Sequence, residues 1–310
     1  MPPESAALVV SDRARSDIAV CKALLAHGSK SFSAASWLLP RRIRDDAAVF
    51  YAFCRVADDA VDDSADPARA VARLYVRLER VFADQPEDDA VDRALARLVS
   101  RHAMPKAPLL ALLEGFEWDA QARRYRTLSD VLAYSARVAS AVGVVMTYLM
   151  GARDRDTLAR ACDLGAAMQL TNICRDVGED ARRGRVYVPE SWLDAAGVDV
   201  RTWRADPVFE PGVGLAVQRL LAEASRLYAR AQPGIAVLPS DCRPAIRAAS
   251  TLYADIGRVV ATRGFDSVSG RASTGLLRKL WLLGGAWLSG VGDTDGLDAP
   301  ALPEVEFLLP

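Results

Sequence analysis

Histidine is nearly absent. His27 and His102 are the chain's two imidazoles in 310 residues, too few and too far apart for the nitrogen-rich sets that hold zinc or non-haem iron. The five cysteines (Cys21, Cys54, Cys162, Cys174, Cys242) are odd in number, scattered and without a CxxC pair, which disfavours a disulfide framework or a zinc ribbon and suits a reducing cytoplasm. There is no excess of one charge. Lys and Arg number 39 against 40 Asp and Glu, so nothing draws the chain to a nucleic acid. No glycine-rich strand-to-helix fingerprint occurs, so no NADPH or other nicotinamide cofactor is expected. The opening "MPPESAALVVSDRAR" mixes charges around four consecutive apolar residues and does not read as a signal peptide. Long apolar runs are missing too: "VASAVGVVMTYLMG" (138–151) and "LWLLGGAWLSGVG" (280–292) fall short of the roughly 18 residues of a membrane span. The second reads as a buried core helix. Its Trp281, Trp287 and preceding "RKL" leave contact with a membrane surface as the other reading.

Strand patterns are also lacking. Apart from "RVYVP" (185–189), no β-branched alternation bounded by hairpin turns is found. What is present is helix: runs at 41–63, 68–83, 88–102, 106–125, 129–150, 154–180, 213–231 and 243–263, punctuated by Pro and Gly. The intervening loops are too short to part domains. The expectation is one all-α domain over residues 1–298, with a central cavity between two acidic helices, and a loose tail over 299–310.

The two acidic helices carry the chemistry. In "YAFCRVADDAVDD" (51–63), Tyr51, Arg55, Asp58 and Asp62 share a face, while Asp59 and Asp63 turn away. In "MQLTNICRDVGED" (168–180), Gln169, Asn172, Asp176 and Asp180 step by three, four and four residues and form a second oxygen-bearing stripe. An acidic run usually just faces water, but two such stripes on separate helices are better explained by a cation held between them. Oxygen-only ligands select a hard ion, and Mg²⁺ binds through one or two carboxylates with waters and substrate phosphates. Arg55 and Arg175 lie beside the stripes, and a metal with arginines neutralises a diphosphate leaving group. The chemistry implied is ionisation of a C–O bond to diphosphate.

These segments, with "GSKSF" (28–32), "EGFEWD" (114–119), "YSARVASAVG" (134–143) and the continuation "ARRGRVYVP" (181–189), resemble the squalene and phytoene synthases over most of the chain. The resemblance implies the all-α isoprenoid synthase fold and a prenyltransferase. It is nearest the branch that condenses two geranylgeranyl diphosphates head to head through prephytoene diphosphate, in carotenoid biosynthesis. Its two DxxxD motifs fall on Asp58 and Asp62 and on Asp176 and Asp180, which with Asn172 would hold Mg²⁺ or Mn²⁺. It further implies that Ser29, Lys30, Ser31, Arg55, Arg175 and Arg271 contact diphosphate, with Gln169 and Asn172 supporting that geometry. Tyr134 and Tyr253 would stand near the reacting carbons. Phe32 and Ser36 would line a pocket that sets prenyl chain length. Ser140 stands where the family often has glycine, and Gly270 where it often has a basic residue. Prenyl diphosphates are the expected partners, and peripheral contact with the cytoplasmic membrane would serve release of a lipophilic product. A squalene-type synthase using farnesyl diphosphate, a class I terpene cyclase and a non-catalytic relative are the competing readings.

Overall fold

The computed structural model describes residues 3–28, 38–272, 275, 278 and 293–310. Among them the chain is helical and forms no strand, and 185–189 is irregular loop. An N-terminal helix, α1 (Pro3–Gly28), precedes the runs expected from the sequence. Its apolar residues spread around the whole circumference, so no single stripe announces it. Tertiary contacts secure it instead: Cys21 and Leu25 are buried, and buried Asp17 accepts hydrogen bonds from Arg93 and Arg97.

Helix α2 (Arg41–Asp62) begins directly after Pro40. Local capping sets the next starts. Asp66 caps α3 (Pro67–Phe82), with Pro67 at its first position, and Asp89 caps α4 (Ala90–His102). After α5 (Ala107–Ala120), a Thr127–Asp130 capping box opens α6 (Leu128–Ser135). The chain then passes through a π-helical turn, Ala136–Ser140, into α7 (Ala141–Met150). Asp154 caps α8 (Arg155–Arg182). The short α9 (Glu190–Ala195) and α10 (Val200–Ala205) follow, then α11 (Pro211–Val237) and α12 (Arg243–Thr262). Helix α11 runs beyond the expected 231 and carries Pro233 inside it. At the next position a Cβ would lie 2.3 Å from Arg160 Cβ, so only Gly234 lets the fully buried Arg160 pass.

One apolar core gathers α1 to α5 with α7, and a second gathers α6, α8 and α11. Between α2 and α8 lies an apolar cavity of about 330 Å³. Tyr51 and Cys54 wall it from α2, Met146 from α7, Met168 from α8, Ile235 from α11 and Tyr253 from α12. Along α8 the wall runs from Thr157 to Asn172, about 22 Å of helix axis.

Two expectations are corrected here. Residues 299–310 do not hang loose. Pro303–Leu308 is a 3₁₀ turn with Val305 and Leu308 buried, Arg155 pairs with Glu306, and Arg160 donates to the carbonyls of Gly296, Leu297 and Ala299 at 2.8–3.0 Å. A fully buried arginine thus finds its acceptors in the backbone leading into this segment, which proline content alone does not reveal. Second, the continuous helical run Leu128–Met150 is long and apolar enough, by length and composition, to cross a membrane. Scattered small polar residues interrupt its consecutive apolar letters without lowering its average hydropathy below that of a span. In this fold 61% of its most apolar window is buried, against α8 and the neighbouring helices.

Candidate active site

The carboxylates stand one turn outside the apolar cavity. Cys54 of α2 and Asn172 of α8 line it, and four residues further along each helix come Asp58 and Asp176. Asp62 and Asp180 follow a turn later. Both pairs occupy the C-terminal turns of their helices, where the peptide dipoles already present negative charge. The arrangement therefore invites a cation.

Arginines compensate only part of this charge. Arg185, in the loop after α8, donates to Asp62 at 2.8 Å. Arg175 Nε donates to its neighbour Asp176 at 2.8 Å, and Arg271 Nε reaches the same carboxylate at 2.8 Å. A glycine makes the last contact possible. The Gly178 N–H donates to the Ser267 carbonyl, and a Cβ at 178 would lie 2.4 Å from the Val268 carbonyl oxygen. The irregular segment leading to Arg271 can thus lie directly on α8. Gly270, where a basic residue is common in the family, has open space around it.

Asp58 and Asp180 have no ion pair among the described residues. Burial, then the neighbouring Asp62, pushes the Asp58 carboxyl up to about 6. Burial, then Asp176, pushes Asp180 up to about 7. These are the marks of buried like charges awaiting a counter-ion. Asn172 adds another sign: its Oδ1 is buried and accepts no hydrogen bond, an acceptor left for a ligand. This donor set fits a hard divalent cation. Among the described residues no three acidic, cysteine or histidine side chains converge into a finished cage, so the ion would complete its shell from substrate phosphates and water.

The remaining expected residues divide. Gln169 and Tyr253 line the cavity, and Gln169 Oε1 lies 3.5 Å from the Asn172 amide nitrogen. Arg55 turns aside to Asp59, its partner one helical turn on, at 2.6 Å. Tyr134 does not line the apolar cavity. It is buried and donates to Asp119 at 2.8 Å. Ser140, fully buried, ties its turn to α8 by donating to the Cys162 carbonyl at 2.8 Å. Ser29, Lys30, Ser31, Phe32 and Ser36, and the apolar stretch with Trp281 and Trp287, lie outside the described residues.

Sequence reasoning gave no role to Asp119, Tyr187 or Arg185, although all three lie in the motifs quoted above. Tyr187 donates to Asp119 at 2.7 Å opposite Tyr134, and the two rings stack with centroids 4.9 Å apart. Burial raises the Asp119 carboxyl while the two phenols pull it back. Burial works against the charge of Arg185, but its bond to Asp62 holds its guanidinium well above the ordinary arginine value. Asp119 and Tyr187 thus form a fixed polar wall beside the carboxylate stripes. Their signal in the sequence is one aspartate soon after Glu114 and Glu117 and one tyrosine between two valines, which is weak.

Residues 25–278 match the family model for squalene/phytoene synthase. The chain is 51% identical over 279 residues to a phytoene synthase of Rhodobacter capsulatus, covering 89% of this chain and 82% of that one. It is 47% identical to a phytoene synthase of Cereibacter sphaeroides, covering 96% and 88%. Among solved structures, a dehydrosqualene synthase in complex with ligand superposes with a TM-score of 0.82 at 30% identity, over 89% of this chain and 97% of that one.

Proposed function

The chain belongs to the squalene/phytoene synthase family, and from that premise we propose that it is a prenyltransferase joining two geranylgeranyl diphosphates head to head into phytoene, as a step of carotenoid biosynthesis. The reaction passes through the cyclopropyl intermediate prephytoene diphosphate, releases both diphosphates and ends with loss of a proton. The observation that carries the reading is the apolar cavity between α2 and α8 with uncompensated carboxylates, Asp58 and Asp180, at its mouth. Apolar chains belong inside, and diphosphates with their cations belong at the mouth.

Asp58, Asp62, Asp176 and Asp180, with Asn172, would hold Mg²⁺ or Mn²⁺. When bound, the ion neutralises the charge that builds on a departing diphosphate. Arg175 and Arg271, already gathered at Asp176, would bind diphosphate oxygens beside those carboxylates. Arg185 is placed to do the same at Asp62. Asp119 anchors the hydroxyls of Tyr134 and Tyr187 and so fixes a wall that stays in place while carbon skeletons rearrange beside it. Tyr253 puts an aromatic face on the cavity, suited to carbocation character in the chain. The apolar lining excludes water, which would otherwise capture the cation.

Proton loss, unlike hydride capture, needs no reductant, so the product forms without NADPH. Purified protein is incubated with geranylgeranyl diphosphate and Mg²⁺, with and without NADPH, and in parallel with farnesyl diphosphate. The expected outcome is a forty-carbon hydrocarbon independent of NADPH. A strict NADPH requirement with the fifteen-carbon donor would place the chain among squalene-type enzymes, and a cyclised product from one substrate would make it a cyclase. Its substrate and product are lipophilic, so a cytoplasmic protein working against the membrane surface is the setting this reading entails. Vesicle flotation tests that setting.

A further inference from the structure

A second cavity, of about 340 Å³, lies on the far side of the Asp119–Tyr187 wall, between the turn after α5, the loop 184–190 and α10. Arg123, Arg124, Arg185, Arg201 and Arg204 line it, against the carboxylates of Asp119 and Glu190 alone. Glu190 is already consumed by a bidentate pair with Arg124 at 2.8 Å. Asp119 is consumed by its two tyrosines, and Arg185 by Asp62.

That leaves Arg123, Arg201 and Arg204 with no ion pair among the described residues. Arg123 is held in place by stacking 3.5 Å from the centre of the Trp118 ring. Arg204 makes one long bond, 3.3 Å, to the Gly184 carbonyl. In a chain whose net charge is -1, this is a local concentration of positive charge in a concave surface. An independent observation points to a ligand there. Tyr125 lines the same cavity and is 2% exposed, yet its hydroxyl has no hydrogen-bond partner. A buried hydroxyl left unpaired destabilises the fold unless a ligand satisfies it.

We propose that this cavity is a second oxyanion site, separate from the metal stripes, that takes inorganic diphosphate on guanidinium groups and the Tyr125 hydroxyl without a metal. Planar guanidinium forks match phosphate oxygens, and the hydroxyl supplies a neutral donor. Arg185 connects the two sites, since it bonds Asp62 and also lines this cavity. A diphosphate released at the mouth therefore has a cationic station beside it. The choice of diphosphate rests on the proposed function, whereas the anion site itself rests on the geometry.

The test is calorimetric titration of inorganic diphosphate into the full chain in buffer containing EDTA, which disables the metal-dependent site. The parent should bind one equivalent, and the exposed pair R201A/R204A should bind about tenfold or more weakly. Tyr125→Phe, which keeps the buried ring, should weaken binding severalfold with an unchanged melting temperature. Absence of metal-free binding by the parent, or full retention by R201A/R204A, overturns the site. A flotation arm compares phosphatidylglycerol with phosphatidylcholine vesicles. If R201A/R204A loses vesicle binding while diphosphate binding is absent or unchanged, the phosphate belongs to a lipid headgroup and the diphosphate assignment falls. Turnover of geranylgeranyl diphosphate with Mg²⁺ by the same parent preparation keeps the two ideas apart. Its failure would sink the proposed function, and would leave a metal-free diphosphate isotherm standing as evidence for the anion site.

Discussion

On α2 the carboxylate nearer the cavity, Asp58, is bare among the described residues and the outer one, Asp62, is clamped by Arg185. On α8 the order is reversed: the inner Asp176 is held by Arg175 and Arg271, and the outer Asp180 is bare. Two helices with the same DxxxD spacing thus present their uncompensated charge at different depths. Compensation is supplied in each case from outside the stripe's own face, by the loop after α8 in one case and by Arg175 with the segment after α12 in the other. The spacing alone makes the stripes equivalent, and their arginine partners make them different.

The largest test of this difference replaces a bare carboxylate. Asp58→Asn and Asp180→Asn should each lower turnover by at least about 10²–10³-fold, the scale of losing one transition-state charge contact. Each should also raise the melting temperature of the metal-free protein at pH 8, because a repelling buried charge is gone. Asp62→Asn should lower turnover and melting temperature together, since Arg185 is left without its anion. If bare and clamped positions respond alike in stability, the contrast between them is not real.

How much of this was legible beforehand follows from the range of each interaction. A 3.6-residue period places Asp58 over Asp62 and Asn172 over Asp176 with no tertiary knowledge, so the stripes, the all-α class and most helix starts could be read directly. Partners that lie far apart in sequence could not. Arg185 meets Asp62 across 123 positions, and the Asp119–Tyr187 bond spans 68. Arg55 shares a face with Asp58 and Asp62, yet its long side chain swings to Asp59, a rotamer choice that a helical wheel does not hold. Helix α1 and the packed C-terminal turn escaped for the same reason, since buried pairs such as Asp17 with Arg93 and Arg97, rather than local pattern, hold them.

The clamp on α8 can be loosened without touching a charge. Gly178→Ala would drive a methyl carbon to 2.4 Å from the Val268 carbonyl oxygen, and backbone rather than a flexible side chain must yield. The expected cost is about 1–3 kcal/mol of stability, measured by urea denaturation. Displacement of Arg271 should also raise the KM for the prenyl diphosphate. A stable variant with unchanged KM would show that Arg271 reaches Asp176 without that close approach.

A smaller effect is expected at the wall between the two cavities. Tyr134→Phe and Tyr187→Phe each remove one of the two hydrogen bonds to the buried Asp119. A hydrogen bond to a charged group contributes about 1.5–3 kcal/mol. The Asp119 carboxyl, already raised by burial, should rise further in either variant. Carbonyl infrared spectra of the two variants would detect the protonated acid at a pH where the parent shows carboxylate, and identical spectra would remove the wall from the account.

The smallest effect is a dependence of stability on pH that Asp58 and Asp180 carry. Asp58 and Asp180 have folded-state values of about 6 and about 7, above the ordinary 3.8. Below about pH 4 both groups are protonated in the folded and unfolded chains and contribute nothing to the balance. Between about 4 and 7 the folded protein holds protons that the unfolded chain has released, so metal-free stability falls as pH rises, and above about 7 the whole penalty is present. Complete burial would make this several kcal/mol. Both groups sit at a mouth open to water and counter-ions, which reduces it to about 1–2 kcal/mol. The opposite slope belongs to Asp17, which Arg93 and Arg97 hold below the ordinary value against burial. Thermal melts of the metal-free protein from pH 4.5 to 8 should therefore show a decline that the Asp58→Asn, Asp180→Asn double variant flattens. Added Mg²⁺ should raise the parent's melting temperature more at pH 8 than at pH 5, because the cation competes with protons for the same two oxygen sites. A decline of equal size in the double variant would mean that the penalty lies elsewhere and that the two bare carboxylates are already neutralised in solution.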